Sequence, residues 1–108
     1  MLHHVIYDGM NNHMVMATQL YRLKLIYPDG AIREMVIWSV PKSPKRPHGL
    51  EYRLYYCTSQ GKCLVRYDNE RGKGDHKHLM GQEEPYHFVN VETLIDDFQK
   101  DIDSFRRQ

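Results

Sequence analysis

The sequence lacks long hydrophobic segments. Its uninterrupted apolar runs are only a few residues long, far short of the roughly 20 residues that cross a bilayer as a helix. Residues 1–16 also lack the basic segment followed by an apolar segment that marks a secretory signal. We therefore expect a cytoplasmic protein without membrane attachment.

Common catalytic signatures are absent as well. The sequence has no P-loop, no Gly-X-Gly-X-X-Gly and no Gly-X-Ser-X-Gly pattern, which leaves nucleotide-cradling and serine-hydrolase mechanisms without support. Cysteine is scarce, with Cys57 and Cys63 on either side of a predicted turn at 58–62. The two thiols could face each other across a hairpin, but the lack of an export signal favours reduced thiols.

The residues that are present fit one small globular domain. Apolar residues make up 41% and charged residues 27% of the 108 residues, a composition too apolar for a disordered chain. Alternating apolar side chains bounded by turn residues predict β-strands. The predicted strands are 19–27, 32–40, 50–57 and 62–67, with a short fifth strand at 86–89.

A helix is predicted to close the chain. Asn90 is a favourable N-cap, and apolar residues then recur every three or four positions. They are Val91, Leu94, Ile95, Phe98, Ile102 and Phe105. The predicted fold class is α+β, an antiparallel sheet of four to five strands packed by one C-terminal amphipathic helix. The weakly patterned residues 1–18 are expected to form an N-terminal extension to a single domain at 19–108.

Charge is unevenly distributed along the chain. Residues 42–78 contain nine Lys and Arg against four acids, whereas residues 83–103 contain seven acids against one Lys. Such a division indicates an anionic ligand for the basic segment and a basic partner for the acidic one. Two solvated surfaces of different charge remain the alternative.

The segment from Arg66 to His78 is the best candidate for a reactive site. His76 and His78 point to the same side if the backbone is extended, and Asp68 and Asn69 lie just upstream. One imidazole can take a proton from a ribose 2′-hydroxyl while another protonates the leaving oxygen, and cationic side chains can stabilise the charge on phosphorus. The candidate phosphate anchors are Arg66, Arg71, Lys73 and Lys77, together with Lys45 and Arg46 in the basic loop 41–49.

Two other interpretations of this segment stay open. His-X-His in extended backbone can present two imidazoles to one transition-metal ion, although this spacing is less specific than a four-ligand pattern. The segment could also be a polar surface loop whose histidines only form local hydrogen bonds. The sequence as a whole is interpreted without a metal or another cofactor.

Four motifs carry a resemblance to a known family. They are Tyr-Arg-Leu-Tyr-Tyr at 52–56, the whole segment 66–78, Glu-Pro-Tyr-His-Phe at 84–88 and Leu-Ile-Asp-Asp-Phe at 94–98. With these motifs the chain resembles the TumE family of bacterial and archaeal toxin–antitoxin proteins over about residues 20–107. The resemblance implies the toxin half of a two-gene module, neutralised by a cognate antitoxin that often carries a helix-turn-helix domain. It supports Asp68, Asn69, His76 and His78 as site residues, with Tyr86 as a secondary one.

Together, the sequence and the resemblance predict a toxin that acts on RNA as a metal-independent ribonuclease. His76 and His78 are the predicted acid and base. A non-catalytic interaction or nucleic-acid-binding protein and a metal-dependent enzyme using the His-X-His loop are the alternatives. A homodimer is also left open.

Overall fold

The computed structural model describes residues 3–7, 14–70 and 74–107. These residues form one antiparallel sheet of seven strands and one helix. The strands are β1 (His3–Tyr7), β2 (Met14–Ile26), β3 (Ile32–Ser39), β4 (Leu50–Cys57), β5 (Cys63–Asp68), β6 (His76–Leu79) and β7 (Gln82–Pro85). The helix is α1 (Val91–Arg106). Each strand pairs with the strand that precedes it in the sequence, so the sheet is a meander in the order β1 to β7.

The turn between β2 and β3 shows how local sequence sets this topology. Gly30 adopts φ of +88°, and its N–H donates to the Tyr27 carbonyl at 2.9 Å. The Asp29 carboxylate accepts from the Ala31 N–H at 3.0 Å. A side chain at Gly30 would be strained in this conformation and would also meet the Ser59 Cβ at 3.0 Å. Glycine is therefore required there by both conformation and space.

The helix covers one face of the sheet. The Asn90 side chain caps its first turn by accepting from the Thr93 N–H at 2.8 Å, as the sequence predicts. Leu94, Phe98 and Ile102 are fully buried in the core. The sheet residues that share this core are Ala31, Met35, Ile37, Tyr52, Leu54, Tyr56, Val65 and Tyr67. We call the side of the sheet that packs on α1 the helix face and the other side the open face.

The α+β class and the single C-terminal helix are confirmed, but the predicted number of strands is wrong. Six strands, β2 to β7, follow residue 13, and β1 adds a seventh. The segment expected to be one long loop before residue 86 contains β6 and β7, while 86–89 is not a strand. β2 begins at Met14, five residues before the predicted strand.

The prediction of reduced thiols is also wrong. Cys57 and Cys63 are paired across β4 and β5 and form a disulfide. The hairpin geometry that the sequence indicates is present, because the turn between them brings the two residues directly opposite each other. The pairing of the two residues across the hairpin was thus the better guide to their state. Across the described part of the chain, no helix is long and apolar enough to span a membrane.

Candidate functional site

Strand register gathers five polar side chains at one end of the open face. Arg66 of β5 is paired with His78 of β6, and Asp68 is paired with His76. On the next strand, Glu83 of β7 is paired with His78. Side chains of directly opposed residues point to the same side of a sheet, so these residues lie together. We call Arg66, Asp68, His76, His78 and Glu83 the histidine cluster.

His76 is buried, with both ring nitrogens facing acceptors. Its Nδ1 lies 3.0 Å from the Gly74 carbonyl oxygen, and its Nε2 lies 2.5 Å from an Asp68 carboxylate oxygen. A carbonyl oxygen can only accept, so Nδ1 carries a proton. The contact at Nε2 requires a second proton between the imidazole and the carboxylate. The His76–Asp68 pair therefore holds a proton beyond the neutral imidazole.

His78 has a cationic side chain as its nearest hydrogen-bond partner. Its Nε2 lies 3.0 Å from an Arg66 guanidinium nitrogen, which can only donate. The Nε2 atom is therefore unprotonated and accepts this hydrogen bond. Burial, followed by the charge of Arg66, lowers the pKa of His78 from its ordinary value of 6.5. His78 is a neutral imidazole at neutral pH.

The two rings are close enough to act on one substrate. Their centroids lie 5.3 Å apart with the planes at 74°. The Glu83 carboxylate lies between them, 3.5 Å from the His76 Nε2 and 3.4 Å from the His78 Nε2. An open recess of about 440 Å³ borders the cluster, within the usual range of roughly 300–1,000 Å³ for ligand sites. Its lining residues are Asp75, His76, Glu83, Glu84 and Pro85.

Part of the cluster could hold a metal ion. One ligand atom from each of His76, His78 and Glu83 lies within 4.8 Å of the others. Two imidazoles and a carboxylate suit a divalent transition metal. The Arg66 guanidinium, however, occupies the direction of the His78 Nε2 lone pair and places a fixed positive charge there. The arrangement of these side chains therefore fits a hydrogen-bonded cluster better than a metal site.

Asn69 lies outside the histidine cluster. It is 1% exposed, and its side-chain oxygen accepts from the Tyr52 N–H at 3.0 Å. Its side-chain nitrogen donates to the Leu50 carbonyl at 2.8 Å. The amide of Asn69 thereby bonds the start of β4 and fixes the end of β5 beside Asp68.

Two further candidates lie on the helix face. The Tyr86 hydroxyl donates to Asp97 of α1 at 2.7 Å, and burial followed by this hydrogen bond raises the pKa of Tyr86. The Lys77 Nζ lies 3.3 Å from Asp101 of the same helix. Both side chains are therefore separated from the two histidines by the sheet. The predicted roles of Tyr86 in catalysis and Lys77 in phosphate binding receive no geometric support.

The remaining phosphate-binding candidates fall into two groups. Arg46 is buried, 2.9 Å from Glu51, so its charge is already compensated. Lys45 is exposed in the same loop. Arg71 and Lys73 lie outside the described residues. Only Arg66, among the described candidates, reaches the histidine cluster.

A third histidine supports the cluster from the basic loop. The His48 Nδ1 accepts from the Leu50 N–H at 3.2 Å, so its Nε2 carries the proton and donates to Asp75 at 3.0 Å. The Tyr52 hydroxyl also donates to Asp75, at 2.8 Å. These bonds fix the residue that immediately precedes His76.

Sequence reasoning missed Glu83 and His48. Glu83 joins the cluster only because Met80 and Gly81, both at positive φ, turn the chain from β6 into β7. The glycine in the His-Leu-Met-Gly-Gln segment at 78–82 was the sequence signal that could have predicted this turn. No local pattern indicates that His48 meets Asp75, because the two residues are far apart in the sequence.

Comparison with known proteins identifies a family for almost the whole chain. The family model described as toxin TumE matches residues 5–106. No curated protein and no solved structure gave a significant match.

Proposed function

Because that match spans nearly its full length, the chain belongs to the TumE family of toxins, and we propose that it acts by cleaving RNA as a metal-independent ribonuclease. The family also implies a cognate antitoxin, which we propose is the product of the neighbouring gene and carries a helix-turn-helix domain. The reaction itself is argued from the histidine cluster, since a family name does not define a mechanism.

The observation that supports this proposal is that the two neighbouring histidines have different hydrogen-bond partners, a guanidinium for His78 and a carboxylate for His76. His78 accepts a hydrogen bond from Arg66, while His76 shares a proton with Asp68. A neutral imidazole next to a protonated one is what transfer of two protons in one reaction requires. The environments of the two rings, and not only their residue type, support an acid–base site.

The proposed reaction is an internal transesterification. The His78 Nε2 removes the proton of a ribose 2′-hydroxyl, and the 2′-oxygen then attacks the adjacent phosphorus. The bond from phosphorus to the 5′-oxygen breaks, and the His76 imidazolium gives that oxygen a proton. Arg66 leaves His78 and stabilises the charge on the phosphoryl oxygens. The products are a 2′,3′-cyclic phosphate and a 5′-hydroxyl, and the two histidines have exchanged protonation states.

The open face offers a surface for the rest of the RNA strand. Arg53 is exposed on β4, directly across from Asp68, and its guanidinium lies 5.3 Å from the Tyr55 ring. Cationic and aromatic side chains in this arrangement suit phosphates and stacked bases. We propose Lys45, Arg71 and Lys73 as further anchors for flanking phosphates.

The chemistry of the RNA ends tests the proposal. Purified protein should cut a synthetic RNA and leave a cyclic phosphate and a 5′-hydroxyl. The same strand with a 2′-deoxy sugar at the cleaved position should stay intact. Expression from a tightly controlled promoter should arrest growth together with loss of RNA integrity, and co-expression of the neighbouring gene should prevent both. Growth arrest with intact RNA would exclude RNA cleavage as the toxic activity.

The rate of RNA cleavage is expected to decrease as the pH drops below neutral. The base must be neutral, and the lowered pKa of His78 places the loss of activity below pH 6.5. Arg66→Gln removes the positive charge that contributes to this lowering, so its acid limb should move to higher pH. Rates measured across pH, each normalised to its own maximum, would show the shift, with Lys62→Gln as a control at an exposed turn. An unmoved limb in Arg66→Gln would contradict the assignment of His78.

Cleavage is also expected to need no metal ion. Protein dialysed against a chelator should keep its full rate, and elemental analysis should find no stoichiometric transition metal. A metal-dependent enzyme is the second candidate, favoured by the close approach of His76, His78 and Glu83. Bound metal whose removal abolishes cleavage, with 5′-phosphate instead of 5′-hydroxyl products, would establish that candidate.

A further inference from the structure

The outer edge of β2 is open over half its length. β1 pairs with β2 from Met14 to Thr18, and β3 pairs with the other side of β2 up to Ile26. Within the described residues, no strand pairs with the outer side of 20–26. An edge of this kind presents unpaired N–H and C=O groups to any chain that can add a strand.

The side chains of this edge alternate between two kinds. Tyr21, Leu23 and Leu25 lie on the helix face but beyond the reach of α1, so they are 41%, 47% and 42% exposed. They continue the buried surface of β3, since Tyr21 is opposite Ile37 and Leu23 is opposite Met35. A row of large apolar side chains next to the core is a typical place for a partner.

The open-face side of the same edge carries two cations, Arg22 and Lys24, followed by Ile26, which is 63% exposed. Arg22 and Lys24 are both exposed and point away from the apolar row. A strand added here would therefore meet apolar side chains on one face, and two neighbouring cations followed by Ile26 on the other. Its best complement is an extended segment in which apolar residues alternate with acidic ones.

A second copy of the chain fits this edge poorly. Antiparallel pairing of two identical edges about Leu23 places Arg22 opposite Lys24 of the other copy. Pairing about Arg22 or about Lys24 places identical cations opposite each other. Pairing about Tyr21 or about Leu25 avoids opposed cations but joins only three residues of the edge. Like charges directly opposed across two strands are destabilising. Charge complementarity therefore favours a different protein over a homodimer.

We propose that the antitoxin binds this edge by adding a β-strand of alternating apolar and acidic residues to 20–26. Naming the antitoxin as the source rests on the proposed toxin function, whereas the strand addition rests on the edge itself. The site is distinct from the histidine cluster, which lies at the other end of the sheet in β5 to β7. The antitoxin would thus anchor on β2 and need not depend on contacts to the reactive residues.

Amide hydrogen exchange tests the proposal directly. Isotope-labelled toxin is compared alone and in its purified complex with the product of the neighbouring gene. The amides of 20–26 that face outward should exchange markedly more slowly in the complex. A capped peptide of alternating valine and glutamate should protect the same amides, and a valine–lysine peptide should not. Protection confined to other residues in the complex, or equal binding of the two peptides, would overturn the proposal.

Charge reversal at the edge tests the role of the two cations, and charge reversal elsewhere is the matched control. R22E/K24E should weaken binding of the glutamate peptide by about tenfold or more, because two attractive cross-strand pairs become repulsive. K42E/K62E makes the same change in net charge away from the edge and should leave affinity within about twofold. A free toxin that is already dimeric, with 20–26 protected, would assign the edge to a second copy. None of these measurements uses RNA cleavage, so they remain decisive even if the proposed ribonuclease activity is absent.

Discussion

Replacing His78 by glutamine is expected to lower the rate of RNA cleavage by about 10²–10⁴-fold, the usual contribution of a general base. Glutamine offers an amide oxygen in place of Nε2, so it can still accept a hydrogen bond from Arg66. It cannot take up a proton from the 2′-hydroxyl. The substitution thus removes the proposed chemistry while keeping the contact. The His78 side chain is partly exposed, so the substitution should change the free energy of unfolding by less than about 1 kcal/mol.

His87→Gln is the matched control for this prediction. His87 is exposed and follows β7, outside the histidine cluster, so cleavage and toxicity should be unchanged. Single-turnover rates on a synthetic RNA and growth after induction provide two independent measurements. If the His78 variant cleaves within a few-fold of the native rate, then His78 is not the base, and the cluster has a structural role.

The sequence predicted those parts of the fold that apolar periodicity determines. The apolar row of α1 and the alternation in β3 and β4 are strong local patterns, and all three elements were found. β7 is the sequence Gln-Glu-Glu-Pro, all exposed, at the edge of the sheet. It has no apolar alternation to detect, because neither of its faces is buried. Its pairing with β6 is set by the turn between them and not by its own composition.

In the candidate site, too, the features set by local pattern were predictable and those set by strand pairing were not. His76 and His78 were predicted to point to the same side, and the extended backbone of β6 places them so. That alternation also sends Lys77 to the other face, which the sequence could have shown. Asp68 reaches His76 only through the register between β5 and β6. Register depends on the whole hairpin, so the closest contact of the site was not predictable from the segment alone.

Replacing Asn69 by alanine is expected to destabilise the fold by about 2–6 kcal/mol. The change leaves the Tyr52 N–H and the Leu50 carbonyl without their partners in a buried region, and each such group costs about 1–3 kcal/mol. A domain of this size has roughly 5–15 kcal/mol of stability in total, so a sizeable unfolded fraction is expected near physiological temperature. Urea unfolding followed by circular dichroism measures the loss.

Comparing the stability of Asn69→Ala with its cleavage rate distinguishes a structural role of Asn69 from a catalytic one. If this residue only holds the end of β5, Asn69→Ala should cleave RNA at close to the native rate per folded molecule when assayed at low temperature. Asn90→Ala is the control, since it removes a helix cap and should cost only about 1 kcal/mol. The opposite pattern, near-native stability with cleavage lost, would place Asn69 in the reaction, as the resemblance implies. In that case the Asn69 amide would have to leave its two backbone partners when RNA binds.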